Sequence, residues 1–305
     1  MDKHTNILAE KLSLVDRLTS FLKLTASLFK ARLSLLVVFS SLLGAAITST
    51  GSLSFGQYLL LGLGGFLVAG SASGANQWFE RDLDKIMKRT MDRPLVTRRL
   101  DLSVALLLIG LAVILGLGLL YWISSSVAVI SGLAWFLYVL VYTPMKRISP
   151  FAVFVGAIPG ALPVLSGTVA AEGTITLFGF TIFAMQFIWQ FPHFWAIAWL
   201  ADEDYKKAGF QLLPSVDGSK NEVTGWQSFT YSVLLIPVSM VMLYNDFFGW
   251  TTFSLLNVVN LFYIVKAWAL YSKVNDAAAR KLMFASFIYL PLALIIIFLG
   301  VTFGL

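Results

Sequence analysis

The chain has 305 residues, of which 58% are hydrophobic, 14% aromatic and 12% charged, with 22 Lys and Arg against 16 Asp and Glu. A soluble domain carries about 25% charged residues, so this composition excludes a soluble globule, and its apolar content excludes intrinsic disorder. The chain has no cysteine, which excludes disulfides and thiolate metal sites. We therefore predict an integral membrane protein.

The first 30 residues differ from the rest of the chain. They carry charges throughout and lack the compact apolar region of a signal peptide. Leu12, Val15, Leu18 and Leu22 recur at helical spacing, which predicts an amphipathic helix lying on the membrane surface. We expect two units, a cytoplasmic N-terminal segment over 1–30 and a single membrane domain over 31–305.

Long uninterrupted apolar runs fill the membrane domain. A spanning helix needs about 20 apolar residues, whereas a barrel strand needs about 10 of alternating character. We therefore predict the all-α class, a polytopic bundle of nine transmembrane helices. The predicted spans lie near 33–50, 57–78, 103–123, 126–143, 150–170, 174–200, 226–245, 249–271 and 282–304.

The basic residues predict the orientation of this bundle. With nine spans, all 22 Lys and Arg precede the first span, fall in loops on that same side or, for Lys266, lie near the end of a span on that side. Because cytoplasmic loops carry the excess of Lys and Arg, we predict a cytoplasmic N-terminus and an external C-terminus. The net charge of +6 reflects this topology and anionic lipid head groups, and we expect no nucleic-acid partner.

The end of the second span carries a polar motif. Asn76, Glu80 and Asp84 are spaced four residues apart, so they cover about 80° of one helix face. Carboxylates held together repel unless a cation lies between them, and oxygen ligands favour a hard ion such as Mg²⁺. Asp82 points away on a regular helix and joins the others only if the helix frays.

Basic residues follow this motif directly. Lys85, Lys88, Arg89 and Arg93 come within the next turns. Carboxylates for a metal beside a cluster of Lys and Arg are the chemistry that holds a diphosphate. A solvated loop of mixed charge is the alternative interpretation.

Tyr142 and Lys146 lie after the fourth span, on the same predicted side. Pro144 ends the helix there, which keeps the lysine close to the membrane surface. Two roles remain open for Lys146, a contact with a ligand or an anchor that reaches to lipid head groups.

The sixth span carries the second polar motif. Gln186, Gln190 and His193 form one stripe on an otherwise apolar helix, and polar groups within a span normally face the bundle interior. For His193 the alternative is a hydrogen bond to a neighbouring helix. A second acidic cluster follows, with Asp202, Glu203, Asp204 and Tyr205. Two acid-rich loops on one side predict a shared cavity with its mouth at the cytoplasmic face.

These motifs together resemble a known family. The runs NQWFERDLDKIMKRTMDRP over 76–94, YTPMK over 142–146 and WQFPHFW over 189–195 are similar to those of the UbiA-type intramembrane prenyltransferases, and within them to the branch that farnesylates haem. The chain departs from the broader family at Gln77 and Glu80, where Asp is frequent. Asp202 and Asp204 are two residues apart, and Lys206 stands where a second Asp is usual.

The resemblance implies a nine-helix bundle around a central cavity open to the cytoplasm, in a bacterial inner membrane. It implies transfer of the farnesyl group of farnesyl diphosphate to a vinyl group of haem B, with water, giving haem O and diphosphate, and dependence on Mg²⁺. Proteins of haem A synthesis or oxidase assembly are the protein partners that it suggests.

The same resemblance, with the spacing, gives the candidate site residues. We expect His193 to act as a ligand of the haem iron or as a proton carrier. The expected metal ligands are Glu80, Asp82, Asp84, Asp202 and Asp204. The expected catalytic and substrate-binding residues are Asn76, Lys85, Arg89, Arg93, Tyr142, Lys146, His193 and Tyr205.

Two other functions compete with this one. Prenylation of an aromatic quinone precursor needs no iron ligand, so the histidine of the FPHF run speaks against it. A transporter places its ionisable residues near the membrane midplane, whereas here they gather at one cytoplasmic level.

Overall fold

A computed structural model describes residues 3–49, 52–215 and 218–305, with side chains from residue 14 onward. All regular elements in this part of the chain are helices. They are α1 (Lys3–Leu28), α2 (Ala31–Thr48), α3 (Phe55–Asp84), α4 (Leu102–Tyr121), α5 (Ser125–Phe136), a π-helix (Leu137–Tyr142), α6 (Thr143–Met145), α7 (Ala152–Glu172), α8 (Leu177–Leu200), α9 (Asp202–Lys207), α10 (Glu222–Val233), α11 (Leu235–Tyr244), α12 (Trp250–Lys273) and α13 (Asp276–Phe303).

The all-α, multi-pass class is confirmed. Eight helical segments of the described chain are long and apolar enough to cross a membrane: α2, α3, α4, α5 continued to Met145, α7, α10 with α11, α12 and α13. They match eight of the nine predicted spans. The remaining span is α8, which is 24 residues long but carries Gln186, Gln190 and His193 among its apolar residues. A count of nine crossings therefore stays a prediction.

Side-chain caps set where these helices begin. Ser54 and Gln57 form a reciprocal capping box at the start of α3, and Asp101 caps α4 through two backbone N–H groups. The side chains of Asn221 and Asn275 each accept one backbone N–H, at the starts of α10 and α13. Each cap satisfies backbone donors that have no partner within the helix, at positions outside the apolar runs.

The spanning helices pack in a ring. α2 lies against α3 and α7, α7 against α8, α8 against α13, and α13 returns to α2. A cavity of about 560 Å³ lies inside this ring, lined by residues of α2, α3, α4, α5, the π-helix, α7, α8 and α13. Its volume is within the usual range for small-molecule sites, and its walls are mostly apolar.

The N-terminal helix α1 meets the bundle at its C-terminal end, where Leu28 is buried. Leu14, Val15, Leu18 and Leu22 are exposed, as is every residue from 14 to 23. The side chain of Leu12 lies outside the described residues. The position of α1 on the membrane surface, and the division of the chain at residue 30, stay predictions.

Candidate functional site

The last turns of α3 supply two buried carboxylates. Asn76, Glu80 and Asp84 are all buried, as the four-residue spacing predicts. The helix stays regular to Asp84, so Asp82 points the other way and is exposed. There it pairs with Lys85, whose Nζ lies 2.6 Å from its Oδ1. The structure therefore does not bring Asp82 or Lys85 together with the buried carboxylates.

Arg93 closes the first loop back onto α3. Its Nη1 donates to Asp84 Oδ2 at 2.5 Å. The hydroxyl of Thr90 donates to the backbone oxygen of Asp84 at 3.2 Å, which fixes the loop against the helix end. Asp84 Oδ1 is buried and has no hydrogen-bond partner among the described residues.

A π-helix presents the second motif. Residues Leu137–Tyr142 adopt this wider helix, a feature that often accompanies functional sites. It brings the ring of Tyr142 onto α7 at Gly156, where a Cβ atom would lie 2.7 Å from that ring. Thr143, just after it, accepts a hydrogen bond from Asn76 at 3.3 Å. The π-helix is thereby attached to α3.

Lys146 extends from this segment to α3, where it forms a buried ion pair with Glu80. Its ammonium group also lies 5.0 Å from the ring centre of Tyr142 and 5.2 Å from that of Phe210. Burial lowers the pKa of Lys146, and the Glu80 carboxylate opposes that shift. A buried and paired lysine is inconsistent with an anchor that reaches to lipid head groups.

The second acidic cluster meets the first loop. Arg89 Nη2 donates to the hydroxyl of Tyr205 at 3.3 Å, and the backbone N–H of Arg89 donates to Asp204 Oδ2 at 3.4 Å. Burial raises the pKa of Tyr205, which keeps its hydroxyl neutral. Asp202 instead pairs with Lys206 at 2.9 Å within α9. Asp204 and Tyr205 therefore contact the first loop, as predicted. The carboxylate of Asp202 pairs with Lys206 of its own helix.

Sequence reasoning missed Lys30, which joins this cluster from the turn between α1 and α2. Its backbone is left-handed, with φ 45° and ψ 54°. Burial, with Arg93 and Lys146 nearby, lowers the pKa of Lys30 to about 7. No carboxylate of the described residues forms an ion pair with it. A single lysine ahead of an apolar run carries no spacing signal that would have identified it.

Gln77 holds the turn that carries Lys30. Its amide nitrogen donates to the backbone oxygens of Ser27 and Leu28, at 3.1 and 2.6 Å. Gln77, which stands where the broader family frequently has Asp, therefore joins α3 to the end of α1.

The polar stripe of α8 divides into two roles. Gln186 and Gln190 donate to the backbone oxygens of Gly160 and Ala157 in α7, at 2.9 and 3.0 Å. Pro159 and Pro163 lie in the same helix, but the oxygens that they leave without a helical donor are those of Val155 and Pro159, so the two amides add bonds between helices and do not replace missing ones. The glutamines therefore join two helices.

His193 has a different environment. It lines the central cavity beside Tyr138, Tyr142 and Trp189. Its ring stacks on that of Trp189 at 4.9 Å, and its Nδ1 lies 2.7 Å from Ser286 Oγ on α13. The hydrogen bond to a neighbouring helix that was the alternative role for His193 is therefore present. The second ring nitrogen, Nε2, has no protein partner among the described residues.

The five carboxylates predicted as metal ligands do not form one group. Within the described part of the chain, no three acidic or histidine side chains are close enough to hold a metal unaided. Mg²⁺ usually takes only one or two carboxylates and completes its shell with phosphate oxygens and water. The unpartnered Asp84 Oδ1, one turn from the Glu80 carboxylate, fits such a partial site.

Known sequences similar to this chain are prenyltransferases. The model of the UbiA prenyltransferase family matches residues 37–288. A protein of Christiangramia forsetii named protoheme IX farnesyltransferase is 39% identical over 278 residues, which cover 88% of this chain and 89% of that protein. Its namesake in Cytophaga hutchinsonii is 36% identical over 280 residues, covering 92% and 96%.

Solved structures share the fold. A structure described as digeranylgeranylglyceryl phosphate synthase superposes with a TM-score of 0.78 at 19% identity, covering 92% of this chain and 98% of its own. A UbiA homologue from Archaeoglobus fulgidus, described as bound to DMAPP and Mg²⁺, gives a TM-score of 0.69 at 16% identity, covering 90% and 98%.

Proposed function

The chain belongs to the UbiA prenyltransferase family, and we infer that it is the prenyltransferase that joins the farnesyl group of farnesyl diphosphate to a vinyl group of haem B. The observation that carries this function is the identity of 36–39% with protoheme IX farnesyltransferases over most of both chains. Neither prenylation of a quinone precursor nor transport has comparable support.

The proposed reaction breaks one bond of farnesyl diphosphate and adds two groups across the haem vinyl. The bond between farnesyl C1 and the diphosphate oxygen breaks, and farnesyl C1 bonds to the terminal carbon of the vinyl group. Water adds to the other vinyl carbon and releases one proton. The products are haem O, with its hydroxyethylfarnesyl group, and diphosphate.

Basic residues at the cluster stabilise the leaving diphosphate. Arg89, Arg93, Lys146 and Lys30 come from three separate segments but lie near one another, and Lys146 contacts Tyr142, which lines the cavity. In the unliganded protein Arg93 and Lys146 are neutralised by Asp84 and Glu80. The diphosphate takes over these cations on binding, and removing one such stabiliser typically costs about 10²–10³ in rate.

Magnesium completes the charge balance. Glu80 and Asp84 are the residues that would hold it, and Asp204 contacts the first loop at the backbone N–H of Arg89. When bound, the metal neutralises negative charge that builds on the diphosphate. The UbiA homologue from Archaeoglobus fulgidus, described as bound to DMAPP and Mg²⁺, supports this assignment. Asp82 is exposed on the other face of α3 and Asp202 pairs with Lys206 within α9, so both are weaker candidates.

The cavity suits the allylic part of the reaction. Its walls are apolar, so bulk water has little access to a carbocation. The aromatic faces of Tyr138, Tyr142 and Trp189 line it, and aromatic faces attract a cation. His193 lies in the same wall and serves the haem as an iron ligand or as a proton carrier.

The enzyme works in the bacterial cytoplasmic membrane with the diphosphate site on the cytoplasmic side. The support is that all 22 Lys and Arg fall on that predicted side. Proteins of haem A synthesis or oxidase assembly are suitable partners, because haem O is poorly soluble outside a membrane.

The test is direct. Membranes containing the chain are incubated with haem B, farnesyl diphosphate and Mg²⁺, and the haem product is identified by mass. We expect a product heavier than haem B by one farnesyl group and one hydroxyl. Membranes containing the Asp84→Asn variant serve as the control. A product on an aromatic acid, with haem unchanged, would contradict the proposal.

A further inference from the structure

Ser286 makes two contacts that determine the state of His193. It is fully buried on α13, and its Oγ lies 2.7 Å from His193 Nδ1. The same Oγ donates to the backbone oxygen of Met283 at 2.6 Å, one turn earlier in the helix.

These two contacts leave one arrangement of protons. A serine hydroxyl has a single hydrogen, and the oxygen of Met283 accepts it because a carbonyl has no hydrogen to give. With its hydrogen given to Met283, Ser286 Oγ accepts from His193, and in this arrangement, which makes both contacts hydrogen bonds, Nδ1 carries the ring proton. In a neutral imidazole the other nitrogen, Nε2, then has a free lone pair.

The ring is also fixed in orientation. Trp189 stacks on the imidazole with an interplanar angle of 16°. The ring of Phe287 packs edge-on against it, with the two ring centroids 5.4 Å apart. Trp189 is held in turn, because its Nε1 donates to the backbone oxygen of Ser286 at 3.1 Å. One residue of α13 therefore fixes both the histidine and the indole on which it stacks.

We propose that Ser286 is a positioning residue that holds His193 in the Nδ1–H tautomer, so that Nε2 coordinates the iron of the haem substrate. The proposal rests on the proposed function. A metal-bound histidine normally donates its second N–H to an oxygen of the protein, and Ser286 provides that oxygen. The same tautomer has no proton on Nε2, so it cannot donate one from that atom to the vinyl group.

The experiment compares variants of the full chain, purified in detergent. Ser286→Ala removes the acceptor and Ser286→Thr retains it, since threonine also donates to the oxygen one turn back. His193→Ala removes the ligand. Ser228→Ala is the matched control, because Ser228 is equally buried and donates to Thr224 O at 2.7 Å, on a helix that does not line the cavity.

Each protein is titrated with haem B, and the iron–histidine stretch of the ferrous complex is recorded by resonance Raman. We expect Ser286→Ala to weaken haem binding by about 10–100-fold and to lower the stretching frequency. Ser286→Thr and Ser228→Ala should resemble the parent. His193→Ala should lose the iron–histidine band. Binding of farnesyl diphosphate, measured separately, should be equal in all five proteins.

Two results would overturn the inference alone. One is a parent-like haem affinity and spectrum in Ser286→Ala. The other is an unchanged spectrum in His193→Ala with loss of turnover, which would make the histidine a proton acceptor. If the parent protein neither bound haem nor formed haem O, the proposed function itself would fail, a result distinguishable from both.

Discussion

Asp84 Oδ2 accepts a hydrogen bond from Arg93 at 2.5 Å, while Oδ1 of the same carboxylate is buried without a partner among the described residues. One oxygen thus neutralises a cation of the diphosphate site, and the other remains available to a metal. Breaking a buried pair costs about 3–5 kcal/mol when a charge is left behind. The pair therefore holds the loop after α3 in place before substrate arrives.

We expect Asp84→Asn to lower turnover by about 10²–10³ and to raise the Mg²⁺ concentration needed for half-maximal rate. The amide retains the shape of the side chain but removes the charge that attracts the metal. Asp82→Asn is the control, because Asp82 is exposed two residues earlier on the same helix. Haem O formation at a series of Mg²⁺ concentrations measures both effects. Equal losses in the two variants would remove Asp84 from the metal site.

Lys30→Met should raise the KM for farnesyl diphosphate by about 10–100-fold, the equivalent of a charged hydrogen bond worth about 1.5–3 kcal/mol. The ammonium has no carboxylate partner in the described residues, so an anionic ligand is the group it would pair with. Lys23→Met, at an exposed position of α1, is the matched control. An unchanged KM in the Lys30 variant would show that this lysine acts only on the fold.

The lowered pKa of Lys30, about 7, predicts a dependence on pH. Below pH 7 the ammonium is charged and binds an anion, and above pH 7 it is neutral in the unliganded protein. Arginine stays charged throughout, so Lys30→Arg should lose less affinity for farnesyl diphosphate as pH rises from 6 to 8. The charged groups around this position are Glu80, Arg89, Arg93 and Lys146, and all four are present in both proteins. Parallel pH profiles would contradict the prediction.

Arg89→Lys should lower kcat/KM by about 10-fold or more, although it conserves the charge. The guanidinium pairs with anions through two parallel hydrogen bonds, which an ammonium cannot reproduce. Because Arg89 also donates to Tyr205 at 3.3 Å, Tyr205→Phe tests how much of the loss arises from that contact. If Tyr205→Phe alone matched the loss in Arg89→Lys, Arg89 would serve the loop contact and not the substrate.

The predicted topology can be tested by cysteine labelling, which is clean because the chain has no native cysteine. We expect Lys207→Cys to react only with reagents added on the cytoplasmic side, and Ser125→Cys only from outside. Both positions are exposed. Lys207 ends α9, after the sixth predicted span, and Ser125 begins α5, after the third predicted span. Labelling of both from one side would contradict the orientation derived from the basic residues.

Helix periodicity alone separated the carboxylates of α3 correctly. Glu80 and Asp84 are four residues apart and share the buried face, whereas Asp82 is exposed because the helix does not fray. The spacing of Gln186 and Gln190 likewise placed both on the interior side of α8. It could not show that they donate to backbone oxygens of α7, since that depends on how two distant helices pack side by side.

The sequence by itself determined the membrane class, eight of the spans and the motif residues, because apolar run length and helix spacing are local properties. Only the tertiary structure decided which charges pair, Arg93 with Asp84 and Lys146 with Glu80, and that Lys30 joins them without a carboxylate of its own. It also placed Ser286 against His193, 93 residues away in the chain. Such contacts depend on which helix ends meet in space, and a serine or a lysine carries no local pattern that specifies its distant partner.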